Sequence, residues 1–249
     1  KGLFLAESLA DFYPDLTSKL FESRVAIFHQ RYSTNTFPQW WLAQPFRCLA
    51  HNGEINTIRG NKNWMKSHEI KMASLAFGEH SEDIKPVIPA GASDTAALDA
   101  VFETLCRAGR DAPTAKLILV PEAWINETEM PAAHKAMYSY LASVMEPWDG
   151  PAALAMTDGR WAVAGMDRNA LRPLRYTLTA DNLLVVGSES GMVLLPEASI
   201  RKKGRLGPGQ MIAVDLEEGT LYEDRAIKDK IAGAHDYGAR VKGFRTMAD

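Results

Sequence analysis

The sequence predicts an α+β fold, and three observations carry that reading. Strand-like runs come first, helical periodicity follows, and closely spaced strand-like runs return at the end. Strands and helices therefore do not alternate as a doubly wound parallel sheet requires. Asp158-Gly159, between two apolar runs, is the signal for a two-residue hairpin and hence for antiparallel pairing. No GxGxxG opens a helix: Gly204, Gly207 and Gly209 fall in a predicted loop ahead of a strand, where no helix N-terminus meets a pyrophosphate.

Residues 24–32 and 46–52 read as strands, being short, apolar or alternating, and bounded by turn formers. Ser33 to Pro45 between them is rich in Thr, Asn, Pro and Trp and suits a loop shaped for contact. The middle is helical. Residues 61–77 carry Trp64, Met72 and Leu75 ahead of Gly78. Residues 95–108 set Leu98, Val101, Phe102 and Leu105 on one face, with Gly109 where a C′ glycine belongs. Residues 130–146 do the same with Met137, Leu141, Val144 and Met145 and stop before Pro147. Lys116 to Val120 reads as a short buried strand between two helices. The last third reads as a meander: Ala152–Thr157, Arg160–Met166, Leu174–Leu178, Leu183–Gly187 and Gln210–Asp215.

The composition is that of an ordinary soluble globular protein: 249 residues, 46% hydrophobic and 24% charged. Lys plus Arg number 28 and Asp plus Glu 31, giving a net charge of −3 and no general attraction to nucleic acid or an anionic membrane. The one basic run, Arg201-Lys202-Lys203-Gly204-Arg205, reads as a solvated loop. No apolar stretch approaches the ~20 residues that span a bilayer. Cys48 and Cys106 lie far apart without a CxxC partner, which suits a reducing cytoplasm. The six histidines show no HxxxH or HExxH spacing, so no metal site is expected.

Three segments carry candidate chemistry. In His29-Gln30-Arg31-Tyr32-Ser33-Thr34, an arginine ending a strand can present its planar fork to a carboxylate; the plainer alternative is a structural salt bridge. In His51-Asn52-Gly53-Glu54, the glycine allows close backbone approach and frees an N–H, and the Asn amide supplies a second donor. Two convergent donors make an oxyanion hole; a plain hairpin turn is the alternative. In Gly91-Ala92-Ser93-Asp94-Thr95, Ser93 or Asp94 suits an N-cap, while a carboxylate there can also receive an ammonium. Together Arg31, Asn52, Gly53 and Asp94 would form a recognition set for an α-amino acid with a scissile amide.

At this point the sequence resembles a known family. The run Arg31 to Trp40, followed by Leu42 to Arg47 and Leu49 to Thr57, is similar to the class II glutamine amidotransferase domain of glutamate synthase large subunits. The similarity continues through Ser93-Asp94-Thr95, Pro121-Glu122-Ala123-Trp124, Met145 to Pro151 and Asp167 to Pro173. The resemblance implies an Ntn-hydrolase-like four-layer αββα sandwich. It implies hydrolysis of glutamine to glutamate and ammonia, and passage of the ammonia to 2-oxoglutarate. Arg31 matches the binder of the α-carboxylate, with Thr34 as a weaker helper; Asn52 and Gly53 match the oxyanion hole, and Asp94 the ammonium partner. FMN and an iron–sulfur cluster are expected only in other domains, and the remainder of the large subunit is the expected partner.

The family nucleophile is a cysteine at the mature N-terminus, whereas residue 1 here is Lys. The expectation is that nucleophile, base and several strands are absent, leaving a sandwich incomplete on its N-terminal side and a chain inactive alone. Cys48 and Cys106 are expected to be core thiols. Residues 1–231 are expected to belong to the amidotransferase domain and 232–249 to begin a linker or tail. Exposed sheet edges would favour association. Two alternatives stand beside this reading: a non-catalytic amino-acid-binding module, and another class II amidotransferase.

Overall fold

A computed structural model describes residues 4–31, 37–72 and 74–244. Two antiparallel sheets form its frame. The first has five strands in the order β1 (Leu49–Gly53), β2 (Ala152–Thr157), β3 (Trp161–Met166), β7 (Met211–Asp215), β8 (Thr220–Tyr222). The second has three, with β4 (Arg175–Thr179) between β5 (Leu184–Gly187) and β6 (Ile200–Arg205). The α+β class and the antiparallel pairing are as expected.

The period of two along each strand decides what each face meets. Leu49, Leu154, Met156, Val163 and Met211 point to a core shared with the helices α3 (Asp94–Arg107), α4 (Ala112–Leu119), α5 (Ala132–Ala142) and α6 (Asp224–Gly233). Ala153, Ala164, Met166 and Ile212 point the other way, against Leu174, Tyr176, Leu184 and Val186 of the second sheet. Helices, five-stranded sheet and three-stranded sheet thus form three successive layers among the described residues.

Several elements differ from expectation. Lys116 to Leu119 is not a strand but the last turn of α4, with Val120 as its C-cap. Asp111 caps that helix through the Thr114 N–H at 2.9 Å, and Pro113 occupies its first turn; both were helix-start signals. The basic run 201–205 is not a loop but the edge strand β6. Its charges suit an edge, and its glycine leaves room for the Tyr176 ring, whose tip a Cβ at Gly204 would meet at 2.4 Å. Residues 24–31 keep the alternation of a strand, with Val25, Ile27 and His29 half-buried between exposed neighbours, but belong to no ladder among the described residues. The predicted helix 61–77 is α2 at Ile58–Lys71, and 130–146 shortens to α5. Strand β8 and helix α6 were not anticipated. The helix α7 (Tyr237–Val241) lies in the expected tail and packs on α5: Tyr237 is buried against Tyr140, and Arg240 lies over the same ring.

The outer edge of β1 is occupied by side chains. Buried Asp99 of α3 accepts from the N–H groups of Arg47, Cys48 and Leu49 at 3.2, 2.8 and 2.9 Å. The Gln44 amide accepts from His51 N–H at 2.6 Å and donates to His51 C=O at 3.1 Å. Sheet-edge association, expected from the sequence, therefore finds this edge filled from Leu49 to His51.

Candidate active site

The C-terminal end of β1 gathers the candidate groups. His51 N–H turns outward to Gln44. N–H groups two residues apart on a strand point the same way, so Gly53 N–H also faces away from β2. Ala152, opposite Gly53, is consistent with this, because it spends its own N–H and C=O on Asp167. Asn52 and Gly53 are thus the end of a paired strand rather than a hairpin turn. Gly53 sits at φ +141°, and a Cβ there would lie 1.7 Å from the Pro151 carbonyl oxygen. Only glycine fits this approach.

Asp94 meets this strand end from α3. Ser93 is the N-cap, its hydroxyl accepting from Ala96 N–H at 3.1 Å. The N-cap position thus falls to Ser93, and Asp94 is the first helical residue. One carboxylate oxygen accepts from Ile55 N–H at 2.9 Å and the other from Thr95 N–H at 2.8 Å. Both acceptors lie at the first turn of the helix, where the macrodipole favours negative charge. A second tie joins the same elements: His51 Nδ1 lies 3.0 Å from Thr95 Oγ1. Both residues are buried. Burial holds the His51 imidazole below its ordinary pKa, against the opposing pull of the Asp94 carboxylate. The sequence reading passed over His51 and Thr95, although each adjoins a residue that it selected.

Arg31 is exposed at the end of the extended 24–31 stretch and forms no ion pair among the described residues. Its segment runs past β1 closely enough for His29 to bear electrostatically on His51. The structure ties Asp94 to Ile55, just past the end of β1, while Asn52, next to His51 on the strand, takes the face of Ala153 opposite α3, and Arg31 lies on a neighbouring segment. Thr34 lies outside the described residues.

The two thiols sit elsewhere. Cys48 precedes β1, and burial followed by the Asp99 and Glu103 carboxylates pushes its pKa up to about 12. Cys106 on α3 is pushed up further, again chiefly by burial. Both line a cavity of about 190 Å³ with Glu103, Arg107, Asp158 and Arg160. No group of three metal-ligating side chains converges among the described residues, and none of their helices is long and apolar enough to cross a membrane.

A family model described as class-II glutamine amidotransferases matches residues 1–240. Over 232 residues the chain is 63% identical to the glutamate synthase [NADPH] large chain of Azospirillum brasilense, covering 93% of this chain and 15% of that protein. Similarity to ferredoxin-dependent glutamate synthase 2, chloroplastic, of Arabidopsis thaliana is 47%, covering 97% and 15%. With the glutamate synthase [NADPH] large chain of Bacillus subtilis it is 44%, covering 95% and 16%. The chain spans about 15% of the length of these relatives. Among solved structures, the glutamine phosphoribosylpyrophosphate amidotransferase of B. subtilis superimposes with a TM-score of 0.44 at 19% identity, over 78% of this chain and 34% of that one.

Proposed function

We propose that this chain, which belongs to the class-II glutamine amidotransferases, is the glutamine-binding and oxyanion-stabilising part of the glutaminase of a glutamate synthase large subunit. The single observation behind this reading is the junction of β1 with α3. It brings the Asp94 carboxylate against Ile55 N–H, two residues past an outward-facing Gly53 N–H, with Ser93 serving as the N-cap.

Glutamine hydrolysis needs these groups. A nucleophile attacks the side-chain amide carbon, and the carbonyl oxygen becomes an oxyanion. Gly53 N–H and Asn52 donate to that oxygen as its charge develops. Asp94 holds the substrate ammonium, Arg31 its α-carboxylate, and Thr34 assists Arg31. The released ammonia passes to 2-oxoglutarate in the remainder of the large subunit, in the cytoplasm.

Neither thiol in the chain suits attack, since only the thiolate is nucleophilic and burial keeps both protonated. With neither thiol suited to attack, and with the N-terminal cysteine that the family resemblance implies as nucleophile not among these residues, the stretch alone is expected not to turn glutamine over. Two cysteines cannot supply the four thiolates of an iron–sulfur cluster, and the flavin of such an enzyme is assigned, on the family resemblance, to the remainder of the large subunit. The domain is read as residues 1–231, with 232–249 beginning a linker or tail.

Asn52→Ala in the full-length polypeptide tests the reading. Turnover of glutamine should fall by about 100-fold or more, with KM little changed, as for loss of one oxyanion donor. Unchanged kcat would remove Asn52 from the oxyanion site. Tight glutamine binding without any hydrolysis by the wild type would instead favour an amino-acid-binding module.

A further inference from the structure

The position of Gly53 N–H depends on a strap that crosses behind it. Residues 149–152 interlock with residues 53–57. Glu54 N–H donates to Pro151 O at 3.0 Å, and Asn56 and Thr57 N–H donate to Asp149 O at 2.7 and 3.3 Å. In return, Asp149 N–H donates to the Thr57 hydroxyl at 2.9 Å. Neither side leaves room for a side chain. A Cβ on Gly53 would lie 1.7 Å from Pro151 O, and one on Gly150 would lie 2.0 Å from Glu54 O.

Two consecutive residues just past β3 hold this strap from its far side. Buried Asp167 accepts from Ala152 N–H at 3.0 Å, and its own N–H donates to Ala152 O at 3.0 Å. Its second carboxylate oxygen accepts from Asn169 N–H at 2.8 Å, and its carbonyl accepts from Gly209 N–H at 2.8 Å. Arg168 grips the other end: Nε and Nη2 reach the two carboxylate oxygens of Asp149 at 3.0 and 2.7 Å. This fork-to-carboxylate contact fixes orientation as well as distance.

We propose that Asp167 and Arg168 are positioning residues for the glutaminase reaction, which aim the Gly53 N–H by clamping both ends of the 149–152 strap. The peptide that follows Gly53 is held by Pro151 O, so any slack in the strap tilts the donor. Asp94 is anchored by its place on α3 and Arg31 stands on a separate segment; the one tie from Asp94 to the strapped residues is Ile55 N–H at 2.9 Å, so the clamp bears chiefly on the Gly53 donor rather than on substrate binding. Donor alignment counts at the transition state, where the oxyanion charge appears. Slack therefore lowers kcat and leaves KM alone. This inference rests on the glutaminase reading above.

The test uses the full-length polypeptide and glutamine as substrate. Asp167→Asn alters a fully buried group and can fail to fold, so the half-exposed Arg168 is the working position. Arg168→Ala should lower kcat on the order of 10-fold with KM within about twofold, a fraction of the loss of a whole donor. Its urea midpoint should stay near wild type, because an exposed ion pair adds little stability. Arg168→Lys keeps the charge without the fork and should recover only part of kcat. The charge swap Arg168→Asp with Asp149→Arg should recover more kcat than Arg168→Asp alone. An Arg168→Ala enzyme with wild-type kcat, or with KM raised in proportion, would overturn the proposal. A wild-type polypeptide with no glutaminase activity would overturn the underlying reading instead.

Discussion

The wild-type protein should gain stability as pH rises from 7.0 to 8.5, and Lys116→Met should abolish that rise. Lys116 is fully buried, and its Nζ donates to Met166 O at 3.0 Å and, more weakly, to Gly209 O at 3.5 Å. Lys228, also buried, donates to the same Gly209 O at 3.3 Å. It keeps two carboxylates, Glu122 at 3.0 Å and Asp224 at 2.9 Å. Among the described residues Lys116 has no carboxylate within ion-pair distance. Burial, reinforced by the neighbouring Lys228 ammonium, pushes its pKa from the ordinary 10.5 down to about 7. Between those values the unfolded chain binds the more protons, so stability increases as pH rises through the window. From pH 7.0 to 8.5 one such group adds about 1.5 kcal/mol. The window stops short of the thiols. Burial raises Cys48 and Cys106, so the fold keeps their protons longer than the unfolded chain does, and above their ordinary 9.0 they draw stability down. Methionine keeps the aliphatic stem that lies across Gly165. It costs about 1 kcal/mol for the hydrogen bond lost at Met166 O, offset by removal of a buried charge. Urea unfolding of both proteins at three pH values across the window gives the two slopes. Parallel slopes would refute the buried, depressed Lys116.

Two shorter predictions address the site. Gly53→Ala drives a methyl against Pro151 O at a φ that alanine avoids. It should part the strap from β1 and cost about 3 kcal/mol or more in urea unfolding, through the strained φ and the loss of the Glu54 and Asn56 hydrogen bonds. A loss under 1 kcal/mol would mean that the close approach is not kept in solution. Cys48→Ser combined with Cys106→Ser should leave glutaminase turnover of the full-length polypeptide within about twofold of wild type, since neither thiol is activated. Loss of turnover in a folded double variant would identify one of them as the attacking group.

Local signals were legible where one physical cause acted over a few residues. The Ser93 cap and the apolar stripe from Leu98 to Leu105 follow from capping and burial alone; an antiparallel hairpin does form at Asp158-Gly159, but Thr157 pairs with Ala162, so its loop has four residues rather than the two expected. The misread elements had two causes in competition. At Lys116 to Val120 an apolar run resembled a buried strand, and the Asp111 cap and Pro113 upstream decided for helix. At Arg201 to Arg205 charge suggested solvent, and pairing with β4 decided for an edge strand. Residues 24–31 show the converse: their alternation is intact, but a strand also needs a partner backbone, and alternation cannot supply one.

The candidate site follows the same division. Arginine, asparagine, glycine and aspartate could be selected from their chemistry, because the groups that recognise an amino acid and an oxyanion are few. The approach of the β1 end to Asp94 depends on contacts between residues some 40 positions apart, Ile55 with Asp94 and His51 with Thr95, and on a strap about 100 positions downstream. Gly53 carries the difficulty in one residue. An Asn-Gly pair reads as a turn because glycine permits positive φ, and here the same freedom serves a close approach to Pro151. Local sequence cannot separate the two uses, since the atom that excludes a side chain at Gly53 belongs to residue 151.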